Sequence, residues 1–216
     1  AGAAASAVGS LVLGVSAASA ADPVQELPAV WDEEFDVVVI GSGFAGLAAA
    51  YEAAKAGASV AVLEKMRTPG GNSIINGGVI SAAGSPLQRE AGIEDSPELL
   101  LADMLKAGLY LNHVELARIV AEESLATVQW TIDELGARYK SELAQEGGHS
   151  VPRMYNTYNQ SGSAIVTPQL EKLRELGVTP RTRSLLKRLL RDEDGRVKGV
   201  ETREGYTFPD TDSGTT

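Results

Sequence analysis

Three glycines at fixed spacing, Gly41, Gly43 and Gly46, restrict the fold of this chain more than any other feature of its sequence. They end a continuous β-branched run, Phe35-Asp36-Val37-Val38-Val39-Ile40, which has the pattern of a strand buried on both faces of a parallel sheet. Ala45 to Ala56 is Ala-rich and strongly helix-forming, and Gly57 stops it. Ser59 to Leu63 is a second buried strand, closed by Glu64, so the segment reads as one βαβ unit. In such a unit Gly41 permits the tight turn after the strand, Gly43 lets backbone approach a pyrophosphate, and Gly46 lets helix and strand pack closely. The helix N-terminus then faces the phosphate charge. Glu64, about 20 residues on, stands where a carboxylate accepts hydrogen bonds from an adenosine ribose, so a bare 2′-OH is expected. A chance glycine turn beside an exposed Glu would not put strand, helix, strand and acid in register.

FAD and NAD share this fingerprint, and the following segment separates them. Gly70-Gly71-Asn72-Ser73 and Asn76-Gly77-Gly78, just after Glu64 and Lys65, offer further backbone amides and short side chains near the pyrophosphate and on towards an isoalloxazine ring. NAD domains usually lack this second glycine-rich stretch, so FAD is the expected cofactor.

Composition removes other chemistries. The net charge of −10 makes nucleic acid an unexpected partner. With no cysteine there is no disulfide, thiolate metal site, C-x-x-C redox pair or c-type haem attachment, and no metal is expected. The uncharged segment Ala1 to Ala21 ends in Ala18-Ser19-Ala20, a cleavage signature, and is read as part of a signal peptide rather than an anchor. It lacks an initiator Met and a basic region, and its weak hydrophobicity resembles a twin-arginine signal; the processed protein is expected to be exported, periplasmic in a bacterium, and not integral to the membrane. Residues 22–34 read as a linker before an FAD-binding domain over 35–216.

Farther along, Thr68 to Gly84 and Gln145 to Gly162 read as loops. Helices are expected from Asp95-Ser96-Pro97 to about Gly108, from Asn112 to Leu135, and from about Ser163 to Leu176. Leu185 to Arg191 and Arg196 to Arg203 flank the turn Asp192 to Gly195 as a β-hairpin. Trp130 with Leu116, Ile119, Val120, Leu125, Val128 and Ile132 recurs at helical spacing and reads as core. His149 and Arg153 are the weak catalytic candidates, each set against a plain structural role.

The two glycine stretches, Ser96-Pro97-Glu98-Leu99 and Gly147-Gly148-His149-Ser150-Val151-Pro152-Arg153 resemble the flavocytochrome c and fumarate reductase flavoprotein family, from about Asp36 to the C-terminus. The resemblance implies a Rossmann-like α/β FAD-binding domain, a parallel sheet with helices plus a β-hairpin. It implies that Ala45 lies beside the pyrophosphate, Asn72 and Ser73 on the phosphates and ribityl chain, Gly77 and Gly78 alongside the flavin, and Leu186 against the adenine. Covalently flavinylated members carry a His shortly before the second Gly pair; Asn72 to Gly78 contains none, so FAD is expected to be non-covalent. The family's A-T-G-G strand and capping domain, with the substrate-binding and proton-donating residues, would fall beyond Thr216, so the domain is expected to be truncated before its last strand and the fragment inactive by itself. The implied activity is reduction of an activated C=C bond, with an unsaturated carboxylate as substrate and a separate c-type cytochrome as electron donor. An FAD-dependent dehydrogenase of the 3-ketosteroid type, or a dinucleotide-binding fragment with no catalysis of its own, remain the alternatives.

Overall fold

The computed structural model describes residues 27–210 and 212–215. In chain order it contains β1 (Val37–Ile40), α1 (Phe44–Lys55), β2 (Val60–Glu64), β3 (Val79–Ser81), α2 (Pro86–Glu90), α3 (Pro97–Ala107), α4 (Val114–Asp133), β4 (Met154–Asn156), α5 (Ser163–Glu175), β5 (Arg181–Thr182), β6 (Ser184–Arg191) and β7 (Val197–Glu204). The expected signal segment 1–21 and the first part of the expected linker lie outside the described residues. Among those described, no helix is long and apolar enough to cross a membrane.

β1, β2 and β5 form a parallel sheet in the order β1-β2-β5, and α1 is the crossover between the first two strands. The α/β class and the βαβ unit read from the sequence are therefore present. Gly57 takes φ +90° just past α1, a conformation available to glycine without steric cost. Leu47, Ala50 and Tyr51 of α1, Val60 and Val62 of β2, and Val166 and Leu173 of α5 form one buried cluster on a single face of this sheet.

Burial on both faces is realised in β2, all of whose residues are buried, and not in β1. Val38 and Ile40 are 36% and 45% exposed, because α1 and α5 cover only the other face. The open face looks across a cleft of about 930 Å³ to Val200 and Thr202 of the β6–β7 hairpin. On the rim of that cleft the segment before β1 is tied down, with Glu33 accepting two bonds from Arg181 at 2.5 and 2.7 Å and Trp31 seated on Gly199.

The core assignment on α4 holds for Leu125, Val128 and Trp130 and needs correction for the rest. Leu116, Ile119, Val120 and Ile132 are exposed, whereas the buried stripe is Ala117, Ala121, Ser124, Val128 and Thr131. Small residues fill the stripe because α3 packs closely against it, through Leu100 and Leu101. Two regions expected as loops also contain structure. β3, in the first, pairs antiparallel with β4, in the second; α2, which follows the first region, is opened by a capping box in which Ser85 and Gln88 exchange side-chain and backbone bonds.

A buried ion-pair cluster joins these parts. Arg153 is fully buried; its Nε and Nη2 donate to Asp95 at 2.8 and 2.7 Å, and Nη1 donates to Asp103 at 2.5 Å. Gln88 Nε2 also donates to Asp95, and the backbone N–H and hydroxyl of Ser150 both donate to Asp103. Desolvation pushes both carboxyls up, but these hydrogen bonds outweigh it and hold Asp95 and Asp103 below the ordinary carboxylate value.

Asp95→Ala in the full-length protein is expected to lower the unfolding free energy by about 3–5 kcal/mol, the usual consequence of leaving half of a buried pair, while Lys172→Ala, at an exposed pair, leaves chemical denaturation unchanged. Because the folded carboxyl pKa values lie below the unfolded ones, the cluster's contribution is present above pH about 4 and is lost as pH falls through the depressed values. A wild-type denaturation midpoint that did not fall in acid relative to Asp95→Ala would contradict this.

Candidate FAD-binding site

The site is built where β1 and β2 end. Gly41, at φ +92°, turns the chain out of β1 while its N–H bonds Leu63 O at 2.8 Å. A Cβ on Gly46 would stand 2.0 Å from Gly41 O, so this contact requires glycine. Glu64, only 5% exposed, closes the other strand and reaches back across it. Its Oε2 accepts from the Ser42 N–H at 3.0 Å and the Ser42 hydroxyl at 2.5 Å, and its Oε1 accepts from Met66 N–H at 2.8 Å. The Ser42 oxygen accepts in turn from the Gly70 N–H at 2.9 Å. One carboxylate and one hydroxyl thus join the first glycine turn to the second.

A second junction lies at Ser73, in a short 3₁₀ turn over Gly71–Ser73. Its Oγ accepts from the Phe44 N–H in the first turn of α1 at 3.1 Å. Gly162, at the start of α5, fits against the Ser73 carbonyl so tightly that a Cβ would come within 1.8 Å of it. Asn76 fixes the rest of the loop: its amide donates to Ser73 O, its Oδ1 accepts from Gly78 N–H at 2.6 Å, and its carbonyl accepts from Gly162 N–H. Gly78 is pressed against Thr157 and Ser161, where no side chain fits. By contrast Gly41, Gly71 and Gly77 face open space, with nothing within 4 Å of where a Cβ would be. Helix α1 has no acidic residue in its first turn, and its N-cap residue, Gly43, has no side chain to cap it, so most of its first-turn N–H groups are left for a ligand.

Residues 36–214 match the FAD binding domain family. The chain belongs to that family. Over 185 residues, 85% of this chain and 36% of its relative, it is 45% identical to the acrylate reductase flavoprotein subunit of Shewanella woodyi. An open-conformation flavocytochrome c3 fumarate reductase superposes with a TM-score of 0.76 at 33% identity, covering 81% of this chain and 31% of that one. The 3-ketosteroid-Δ4-(5α)-dehydrogenase of Rhodococcus jostii RHA1 gives 0.69 at 29% identity, covering 83% of this chain and 44% of the other. The chain thus spans roughly a third of the length of the reductase relatives.

The residues of this FAD-binding domain fit the cofactor. Open backbone at Gly41, Gly71 and Gly77, beside the N-terminus of a helix with no acidic residue in its own first turn, suits a diphosphate. Ala45 is exposed on the first turn of α1, and Lys65 and Asn72 are exposed just beyond β2. Leu186 is half-buried on β6, which begins next to the end of β2 because Arg183 N–H bonds Met66 O. Gly41, Ser42, Gly43, Gly46, Glu64, Gly70 and Ser73 therefore meet at one place, with Gly77 and Gly78 at the far end of the same loop and Leu186 on the separate hairpin. Arg153 lies apart from them in its buried cluster, and His149 sits beside it, Nδ1 to Nη1 2.9 Å. Asn76 and Gly162 were not among the sequence candidates. An Asn in a glycine-rich loop is a turn signal only, and Gly162 is far from the motif along the chain.

Glu64→Ala is expected to weaken FAD binding by about 1.5–3 kcal/mol, roughly tenfold to a hundredfold in Kd by fluorescence titration of the full-length apoprotein, with Glu98→Ala as the exposed control. Equal affinity in the two variants would remove Glu64 from the site.

Proposed function

We propose that the protein containing this chain is an FAD-dependent reductase of the fumarate reductase and flavocytochrome c type, reducing the activated C=C bond of a small unsaturated carboxylate. The observation that carries the reading is the segment Gly70 to Gly78, joined to Glu64 through Ser42, in a chain 45% identical to an acrylate reductase flavoprotein subunit. The bound cofactor supplies hydride transfer. The chain's own part is binding and orientation. Glu64 accepts from the adenosine ribose, and the amides at the start of α1, with Asn72 and Ser73, take the diphosphate and ribityl chain. The backbone at Leu186 meets the adenine, and the flavin lies alongside Gly77 and Gly78. With no His between Asn72 and Gly78, the FAD is held non-covalently.

The Ala18-Ser19-Ala20 signature and the family resemblance support export to the periplasm, and the likeness to a flavocytochrome c3 fumarate reductase supports a c-type cytochrome as electron donor. The likeness to a 3-ketosteroid dehydrogenase favours a second reading, an FAD-dependent dehydrogenase of that type. Purified full-length protein is expected to release its flavin on acid precipitation and, when reduced with a viologen dye, to oxidise the dye rapidly on addition of acrylate, methacrylate, fumarate or urocanate. Flavin retained in the acid pellet would contradict non-covalent binding. Turnover of a 3-ketosteroid with none of the four carboxylates would replace the reductase reading.

A further inference from the structure

β3 starts directly after Gly77 and Gly78, and its last residue, Ser81, meets the ring of His149, with Oγ 3.2 Å from Nε2. The other ring nitrogen, Nδ1, lies 2.9 Å from Arg153 Nη1. A guanidinium has only donors, so Nδ1 must present a lone pair and the single proton of the neutral ring must sit on Nε2. His149 therefore accepts from Arg153 and donates to Ser81, whose own proton is left for another acceptor. Arg153 cannot readily yield, since Asp95 and Asp103 hold its Nε, Nη1 and Nη2 in a fully buried position. β3 needs such an anchor: it is three residues long, and among the described residues its one strand neighbour is the equally short β4.

We propose that His149 is a positioning residue of the cofactor site, which through its Nε2–H bond to Ser81 ties β3 and the preceding Gly77-Gly78 segment to the buried ion-pair cluster and so holds them where the flavin ring is received. The inference rests on the proposed placement of the flavin alongside those two glycines. The link depends on acidity. The ring is faced by Arg153 ahead of β4, Asp95 ahead of α3, Asp103 within α3 and the Ser81 hydroxyl of β3. Burial, followed by the charge of Arg153, holds the imidazole below its ordinary value of 6.5 against the opposing pull of the two carboxylates. A proton on Nδ1 would turn an acceptor into a donor aimed at a cation. The link is therefore intact at and above pH 6.5 and is lost as pH falls through the lowered value.

The test measures FAD affinity and the flavin midpoint potential of the full-length protein between pH 5 and pH 8, with thermal unfolding alongside. At pH 7, His149→Ala and Ser81→Ala should each weaken FAD binding about three- to tenfold, and the double variant should be no weaker than the single ones, because both remove the same bond. Wild-type affinity should fall towards that of His149→Ala in acid, with a matching shift in potential. His149→Gln, whose amide can still donate to Ser81 but does not titrate, should retain most of the affinity and flatten the pH profile. Additive losses, an acid profile unchanged in His149→Gln, or a lowered melting temperature with wild-type FAD affinity would each overturn the proposal. Weak binding in Glu64→Ala with normal binding in His149→Ala and Ser81→Ala would sink it while leaving the FAD reading intact, and a wild-type apoprotein that took up no FAD would sink both.

Discussion

The arrangement of the site depends on one buried carboxylate. Glu64 ends β2 in a place that water scarcely reaches, and it takes N–H and O–H donors from Ser42 and Met66. A buried carboxylate is tolerable only when so provided for. The need to satisfy it draws the turn after β1 onto the end of β2, and through the Ser42 oxygen it draws Gly70 in as well. Without Glu64 the parallel pairing of β1 and β2 would still form, but the glycine turn above it would lose the partner that fixes its shape. The cradle is therefore largely assembled by the chain's own bonds, and a ligand entering it has less backbone to order.

A second level of support comes from glycines used as gaps. Gly46 lets α1 lie against the turn, Gly162 lets α5 press on Ser73, and Gly78 lets the second loop lie on Thr157 and Ser161. Each is a place where two backbone segments come closer than any side chain permits, so the loop is held by packing as well as by hydrogen bonds. The helices of the buried cluster beneath, α1 and α5, are the same two whose first turns reach the loop, which couples core packing to the geometry of the site.

How much of this was legible in the sequence follows from how local each cause is. The βαβ unit, Gly57 as a helix stop, the Ser96-Pro97 start of α3 and the hairpin turn at Asp192 to Gly195 follow from neighbouring residues, and the structure has them all. β3 and β4 were hidden because they pair across a long stretch of chain, Ile80 with Tyr155, and neither has a pattern of its own over three residues. On α4, Leu125, Val128 and Trp130 pack in the core as expected, but Leu116, Ile119, Val120 and Ile132 were misjudged: they lie outward while Ala117, Ala121 and Ser124 carry the contact, and size misleads when helices approach closely. Arg153 looked like a candidate for chemistry because sequence does not reveal that Asp95 and Asp103, 58 and 50 residues away, enclose it.

The meeting of two helix starts at Ser73 has a further consequence. The first turns of α1 and α5 both abut this residue, so two positive dipole ends lie close together within a chain whose formal charge is −10. An incoming anion meets repulsion at a distance and attraction at contact. Dissolved ions screen the distant field far more than the near one, with a Debye length of about 10 Å at 0.1 M. Moderate salt therefore eases the approach of a diphosphate to this acidic chain more than it weakens the final grip, the opposite of the usual behaviour of a basic protein capturing a phosphate.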